Sequence, residues 1–168
     1  MSYVVAFDPS TKILGWAAMD THTGRVLAHG AEPINMPDGG WQHDQIREAV
    51  GVVALHCDAV GDHDPVGWTY ERPFAMSARN AFAYGEACRS LETVCRRVWP
   101  YATVWEPFQA SSWRSLVGAG GRGKEGPMTV ACQIVGHGDI LTQDEADAIC
   151  VARALLIEHY GYPTEVAA

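Results

Sequence analysis

The chain has 168 residues, 48% hydrophobic and 19% charged, which suits one packed domain and excludes a disordered segment. It has no apolar run of about 18 residues and no signal-type N-terminus, so we expect no membrane-spanning helix and a cytoplasmic location. The net charge of −8 disfavours nucleic-acid binding, but eight basic and only four acidic residues lie between 72 and 127. This basic middle could contact phosphates, or it could form ordinary solvated helix faces.

The first part of the chain predicts three strands, a helix and a fourth strand. Residues 3–7, 14–19 and 25–29 have strand patterns, and residues 21–24 have the composition of a hairpin turn. Residues 41–60 carry apolar side chains at helical spacing. Residues 66–71 read as a strand that ends in Glu71.

The second part predicts mostly helices. Ser77 could cap a helix that runs to Val98, followed by a short strand over 102–105 and a helix over 109–117. Residues 118–127 contain five glycines and are predicted to be a flexible loop. Helices over 128–135 and 142–160 follow. This order predicts an α/β fold, with a mixed five-stranded sheet flanked by helices on both faces.

Four carboxylates occupy positions where a buried charge is costly unless it is paired or binds a metal. Asp8 and Glu71 each end an apolar strand, and Asp144 and Asp147 lie three residues apart on one helix face. Carboxylates converging from three segments favour hard divalent cations, most simply Mg²⁺, and a pair of ions would use all four. Asp144 alone could equally be the N-cap of its helix.

Several motifs resemble those of the RuvC-type Holliday junction resolvases. Residues 7–16, FDPSTKILGW, resemble that family's opening Asp-Pro-Gly motif, with Ser10 in place of the bacterial glycine. Residues 71–74 resemble its Glu-x-x-Phe, and residues 144–148 its Asp-x-x-Asp-Ala. Residues 79–81 and 85–89 resemble the start of its long dimerisation helix. The likeness runs in order along nearly the whole chain, and the shorter, divergent motifs are more similar to bacteriophage members.

The resemblance implies a single RuvC-like nuclease domain over residues 1–168, with a ribonuclease H-like fold, working as a homodimer with Mg²⁺ or Mn²⁺. The implied activity is an endonuclease that resolves Holliday junctions by paired nicks and also acts on branched DNA such as forks and flaps. If it is a phage protein, it would act in the host cytoplasm. The implied metal-binding and catalytic acids are Asp8, Glu71, Asp144 and Asp147, with Lys124 as a basic catalytic residue near the scissile phosphate. The implied DNA-binding residues are Phe74, Arg72, Arg79, Arg114, Arg122 and Lys124.

Some of these assignments have simpler alternatives. Phe74 matches an aromatic residue that stacks on a junction base, but it could be a core residue. Arg114 is a weaker match and could have only a surface role. The small-residue stripe of Ala81, Gly85 and Cys88 could form the dimer contact or pack on its own sheet. Glu145 is interpreted as a solvated acid that binds no metal.

Other functions compete with junction resolution. A nuclease of the same fold could act on RNA or on an RNA–DNA hybrid. A non-catalytic branched-DNA binding protein is possible, although it would gain nothing from four clustered acids. A sugar-kinase-like ATPase would need two such domains, which 168 residues cannot hold. The sequence leaves open whether a host branch-migration motor is a partner.

Overall fold

The computed structural model describes residues 1–10, 12–34, 43–61, 63–72, 78–136 and 141–164, without the side chains of residues 78–80, 82 and 83. The strands are β1 (Tyr3–Pro9), β2 (Ile13–Asp20), β3 (Val26–Pro33), β4 (Gly67–Arg72), β5 (Thr103–Val104) and β6 (Phe108–Gln109). The helices are α1 (His43–Val60), α2 (Ala78–Val98), α3 (Ala110–Leu116), α4 (Glu125–Val135) and α5 (Gln143–Tyr160).

The sheet has the order β3-β2-β1-β4-β5, which makes β1 the central strand. β1, β2 and β3 form an antiparallel meander, whereas β4 is parallel to β1 and β5 is parallel to β4. A sixth strand absent from the prediction, β6, pairs with the end of β4 and sets Phe108 opposite Glu71. The predicted α/β class with a mixed sheet is confirmed.

Each face of the sheet carries its own hydrophobic core. Along β1, Tyr3, Val5 and Phe7 pack with α1 and α2, while Val4 and Ala6 pack with α3, α4 and α5. We call the second side the α5 face. Because side chains alternate along a strand, Asp8 continues the series of Val4 and Ala6 onto the α5 face.

Helix α5 packs on β1 and β2 and is buried almost all round, with every residue from Ala146 to Leu156 buried. Thr142 is its N-cap, in a capping box with Glu145, so the alternative that Asp144 is the cap is wrong. Glu145 is not the solvated acid predicted, since its Oε1 also lies 3.0 Å from His29 Nδ1. No helix in the described ranges, α5 included, is both long and apolar enough to cross a membrane.

Helix α4 starts three residues earlier than predicted and takes in the last three residues assigned to the glycine loop. Pro127 lies in its first turn, where the missing amide hydrogen costs nothing. Gly126 packs against the carbonyl group of Ala119 so closely that a Cβ atom there would collide with it. The loop therefore ends at Lys124, which immediately precedes the helix.

Candidate active site

Two of the four predicted acids lie side by side at the ends of neighbouring strands. In the parallel pair β1–β4, Phe7 is opposite Tyr70, which makes Asp8 and Glu71 the next residues along the two strands. Strands in a sheet are about 4.8 Å apart. Glu71 follows Thr69 onto the α5 face by the same alternation that places Asp8 there. Both carboxyl groups therefore face α5 at the end of the sheet where β1 and β4 terminate.

The first turn of α5 brings the other two acids to the same edge. Gly15 is the β2 partner of Asp8, and a Cβ atom on Gly15 would lie 2.9 Å from Asp144 Cβ and collide with the Asp144 carbonyl group. The α5 backbone thus rests directly on β2 beside Asp8. Asp147 lies nearly one turn further along α5 and is 8% exposed. The structure brings all four predicted acids together, and their role as metal ligands stays a prediction.

Burial and mutual repulsion make the carboxyl groups of Asp8, Glu71 and Asp147 hold protons more tightly than usual. Burial, followed by the charges of Glu71, Asp147 and Asp144, raises the pKa of Asp8 well above its ordinary value. Burial raises the pKa of Glu71 to about 7, and burial raises the pKa of Asp147 to about 6. Ionising the whole cluster is therefore unfavourable unless a cation neutralises it.

Three side chains from α3 and α5 contact the acids. Trp113 Nε1 donates to Glu71 Oε2 over 2.8 Å, and Gln143 Nε2 donates to Asp147 Oδ1 over 2.9 Å. The guanidinium group of Arg114 lies 3.9 Å from Asp147 Oδ2 and stacks over the Trp113 ring. Arg114 was predicted to contact DNA, and neither Trp113 nor Gln143 was predicted as a site residue. A lone tryptophan in the polar helix Ala110–Leu116 was the one available signal for Trp113.

The donor set suits a hard divalent cation, because all four acids offer carboxylate oxygens. Within the described ranges, no three His, Cys, Asp or Glu side chains are already arranged around a common ion position. The contacts of Glu71 with Trp113 and of Asp147 with Gln143 and Arg114 account for the present orientation of two of the acids. One carboxylate oxygen of Glu71 accepts no side-chain hydrogen bond from the described residues and stays available for an ion.

The predicted basic residues are distributed less uniformly than the acids. Lys124, at the N-cap of α4, is exposed yet close enough to lower the pKa of Asp147. Arg122 is exposed on the preceding loop. Arg72 also lies at the surface. Its charge opposes the rise that burial causes in the pKa of Tyr70 and Cys88, which lie on the opposite face of the sheet from Glu71. The side chain of Arg79 and the whole of Phe74 lie outside the described residues, as does the predicted cap Ser77.

Comparison with solved structures gives matches along nearly the whole chain. RuvC of Thermus thermophilus in complex with a Holliday junction substrate superposes with a TM-score of 0.70 at 15% identity, covering 96% of this chain and 97% of that chain. A second Thermus thermophilus RuvC structure matches with a TM-score of 0.70 at 15% identity, covering 95% and 96% of the two chains. No protein-family model and no curated protein matches the sequence. The likeness confirms the ribonuclease H-like fold predicted from the sequence.

Proposed function

We propose that this chain is a divalent-metal-dependent endonuclease of the RuvC type that resolves four-way DNA junctions by paired nicks. The observation that carries the proposal is the convergence of Asp8, Glu71, Asp144 and Asp147 from three segments at one sheet edge. The fold it shares with a junction-bound RuvC supports the choice of substrate. The same site could serve forks and flaps, which share the branched geometry.

The four acids would hold two Mg²⁺ ions, for which Mn²⁺ could substitute. Bound there, the ions would supply an activated water and stabilise the leaving oxygen of an in-line phosphodiester displacement. The protein's part is to present ionised carboxylates in a fixed arrangement and to hold the phosphate against them. Glu71 and Asp147, whose protonation persists to about pH 7 and 6, must release protons for this arrangement to form.

Positive charge beside the acids would hold the DNA strand. Lys124 is exposed next to the cluster, where its ammonium group could contact the scissile phosphate. Arg114, now against Asp147, could turn toward the phosphate once cations neutralise the acids. Arg122 would add a backbone contact from the loop. Arg72 and Arg79, on the β4 end and α2, are proposed as phosphate contacts, and Phe74 as a base-stacking residue.

Paired nicking requires two copies of the site, which a homodimer with twofold symmetry would present to a junction. Helix α2 offers a contact surface at Ala81 and Gly85, which are exposed, whereas Cys88 packs against the core of its own sheet. A Cβ atom on Gly85 would meet no other described atom within 4 Å, so a second chain could approach its backbone closely. We therefore place the dimer contact on this face of α2.

The competing functions differ in what they require of the acids. A non-catalytic binder would carry the cost of burying Asp8, Glu71 and Asp147 without benefit, since repulsion near DNA phosphates weakens binding. A nuclease for RNA or RNA–DNA hybrids would use the same acids, so only its substrate separates it from a resolvase.

The test is cleavage of a substrate panel by the full chain. Labelled four-way junction, fork, flap, linear duplex and RNA–DNA hybrid are incubated with and without Mg²⁺. We expect Mg²⁺-dependent cuts at symmetric positions in the four-way junction and none in linear duplex. Cleavage of the hybrid alone would assign the site to RNA. Junction binding without cleavage of any substrate would make the chain a binding protein and refute the proposal.

A further inference from the structure

Trp113 contacts the candidate site through its one polar atom. Its side chain is fully buried in the core of the α5 face, with an exposure of 0%. The indole has a single hydrogen-bond donor, Nε1, and that donor is given to Glu71 Oε2 at 2.8 Å. The indole of a core tryptophan therefore donates a hydrogen bond to one carboxylate oxygen of a predicted metal ligand.

The surroundings make this contact rigid. Glu71 pairs in register with Phe108 of β6, and α3, which carries Trp113, begins directly after β6 at Ala110. The pairing of Glu71 with Phe108 thus joins β4, which carries Glu71, to the chain two residues before the start of α3, which carries Trp113. Close packing restrains a fully buried indole, so it fixes one carboxylate oxygen, whereas the other accepts no side-chain hydrogen bond from the described residues.

We propose that Trp113 is a positioning residue for the metal centre, which orients the Glu71 carboxylate so that Oε1 faces the ion site. The proposal rests on the proposed function, because it concerns how the same four acids bind their cations. Residues that hydrogen-bond to a metal ligand without touching the metal change metal affinity or activity by about 10- to 100-fold when they are mutated. We expect a change of that size on loss of the indole donor.

Trp68 supplies the matched control. It is equally buried, in the core on the opposite face of the sheet, and its Nε1 has no hydrogen-bond partner among the described residues. Trp→Phe at either position removes the same atoms from a core, but only at Trp113 does it remove a bond to an acid. A merely structural role for Trp113 predicts that both variants lose stability and keep wild-type metal affinity.

The experiment measures Mn²⁺ binding by calorimetry for the wild type, Trp113→Phe and Trp68→Phe, each checked for folding by circular dichroism. We expect an affinity about 10- to 100-fold weaker in Trp113→Phe and unchanged in Trp68→Phe. Equal affinity in the wild type and Trp113→Phe would overturn the proposal while leaving the proposed function intact. A wild type that binds no divalent ion would instead refute the proposed function.

A second measurement titrates the wild-type protein and does not depend on the folding of Trp113→Phe, because the Trp113 signal can be the one assigned by elimination. The chain has six tryptophans, whose indole ¹⁵N–¹H signals can be assigned from single Trp→Phe variants, the last by elimination. On titration with Mg²⁺ we expect the Trp113 signal to shift, since its acceptor becomes a ligand, and the Trp68 signal to stay. A Trp113 signal unmoved at saturating Mg²⁺ would contradict the proposal.

Discussion

Gly15 lies under Asp144, and this contact joins the two halves of the candidate site. Gly15 is paired with Asp8 on the neighbouring strand, and a Cβ atom added to it would be 2.9 Å from Asp144 Cβ. Glycine is needed here because the helix backbone occupies the space of a side chain. Because residue 15 has no Cβ atom, α5 can pack closely enough on β2 to bring Asp144 beside Asp8.

Gly15→Ala should disturb the site more than the fold. The added methyl group must push the start of α5 off β2 and so displace Asp144 from Asp8. We expect a stability loss of about 1–3 kcal/mol and, because small misplacements are costly in catalysis, a cleavage rate at least about 100-fold lower. Chemical denaturation and single-turnover cleavage measure the two effects.

The control is Gly51→Ala, in α1, where a Cβ atom meets no described atom within 4 Å. Alanine within a helix should raise stability by about 0.5–1 kcal/mol and leave cleavage unchanged. Wild-type cleavage and stability in Gly15→Ala would show that Asp144 does not depend on this contact.

Stability without metal should fall as the pH rises. Burial raises the pKa of Glu71 from 4.5 to about 7 and that of Asp147 from 3.8 to about 6. Because the folded state binds these protons more tightly than the unfolded state, its advantage is complete below about pH 4 and is lost through pH 6 to 7. Mg²⁺ should restore stability at pH 8 and do little at pH 5, where protons compete for the acids.

The measurement is urea denaturation from pH 4 to 8, with Glu71→Gln as the control that removes one titrating group. The glutamine keeps an oxygen for the Trp113 donor, so the packing is preserved. The difference in unfolding free energy between the wild type and this variant should change by up to about 3 kcal/mol over that range. If the difference in unfolding free energy between the wild type and this variant does not change with pH, the raised pKa of Glu71 is contradicted.

Lys124 should affect the chemical step and Arg122 the binding step. Lys124→Ala removes an exposed positive charge that acts on Asp147 and should slow cleavage of bound junction by about 100-fold, with a change in Kd below about tenfold. Arg122→Ala, at an exposed loop position two residues away, should leave the rate for bound junction unchanged. It should weaken binding and reduce the salt dependence of log Kd by about one. Indistinguishable variants would remove the special role of Lys124.

Gly85→Glu should separate the two nicks of one junction. A glutamate on the exposed face of α2 fits the single chain, since nothing described lies within 4 Å, but it would block a second α2. We expect a monomer in light scattering and, on a cruciform plasmid, nicked circles in place of linear product. Gly51→Glu in α1 has the same free space and should keep the dimer. A dimeric Gly85→Glu would place the interface elsewhere.

The parts of the fold that follow a simple period were predictable from the sequence. Alternation along β1 and β4 places Asp8 and Glu71 on one face, and helical spacing places Asp144 and Asp147 together. Chain order then brings these segments to one edge of a mixed sheet. Predicting the N-cap of α5 required a choice between Thr142 and Asp144. The capping box that Thr142 forms with Glu145 makes Thr142 the N-cap.

The remaining features depend on packing between distant segments. The bond from Trp113 to Glu71 exists because β6 docks beside β4, and a two-residue strand leaves no periodic signal. Arg114 lies against Asp147 because α3 packs on α5, which residue type alone cannot reveal. The start of α4 was placed too late because glycine and proline are equally suited to a loop and to a first turn.

The most direct test of the proposed metal-dependent cleavage is the behaviour of Asp147→Asn on a four-way junction. Asparagine keeps the shape of the side chain and its contact with Gln143 but removes the charge that would bind the cation. With Mg²⁺, the variant should bind the junction at least as tightly as the wild type and cut it at least about 1,000-fold more slowly. Asp58→Asn, at an exposed position in α1, should match the wild type in both. Cleavage by Asp147→Asn at the wild-type rate would contradict the assignment of the acid cluster as the catalytic metal site.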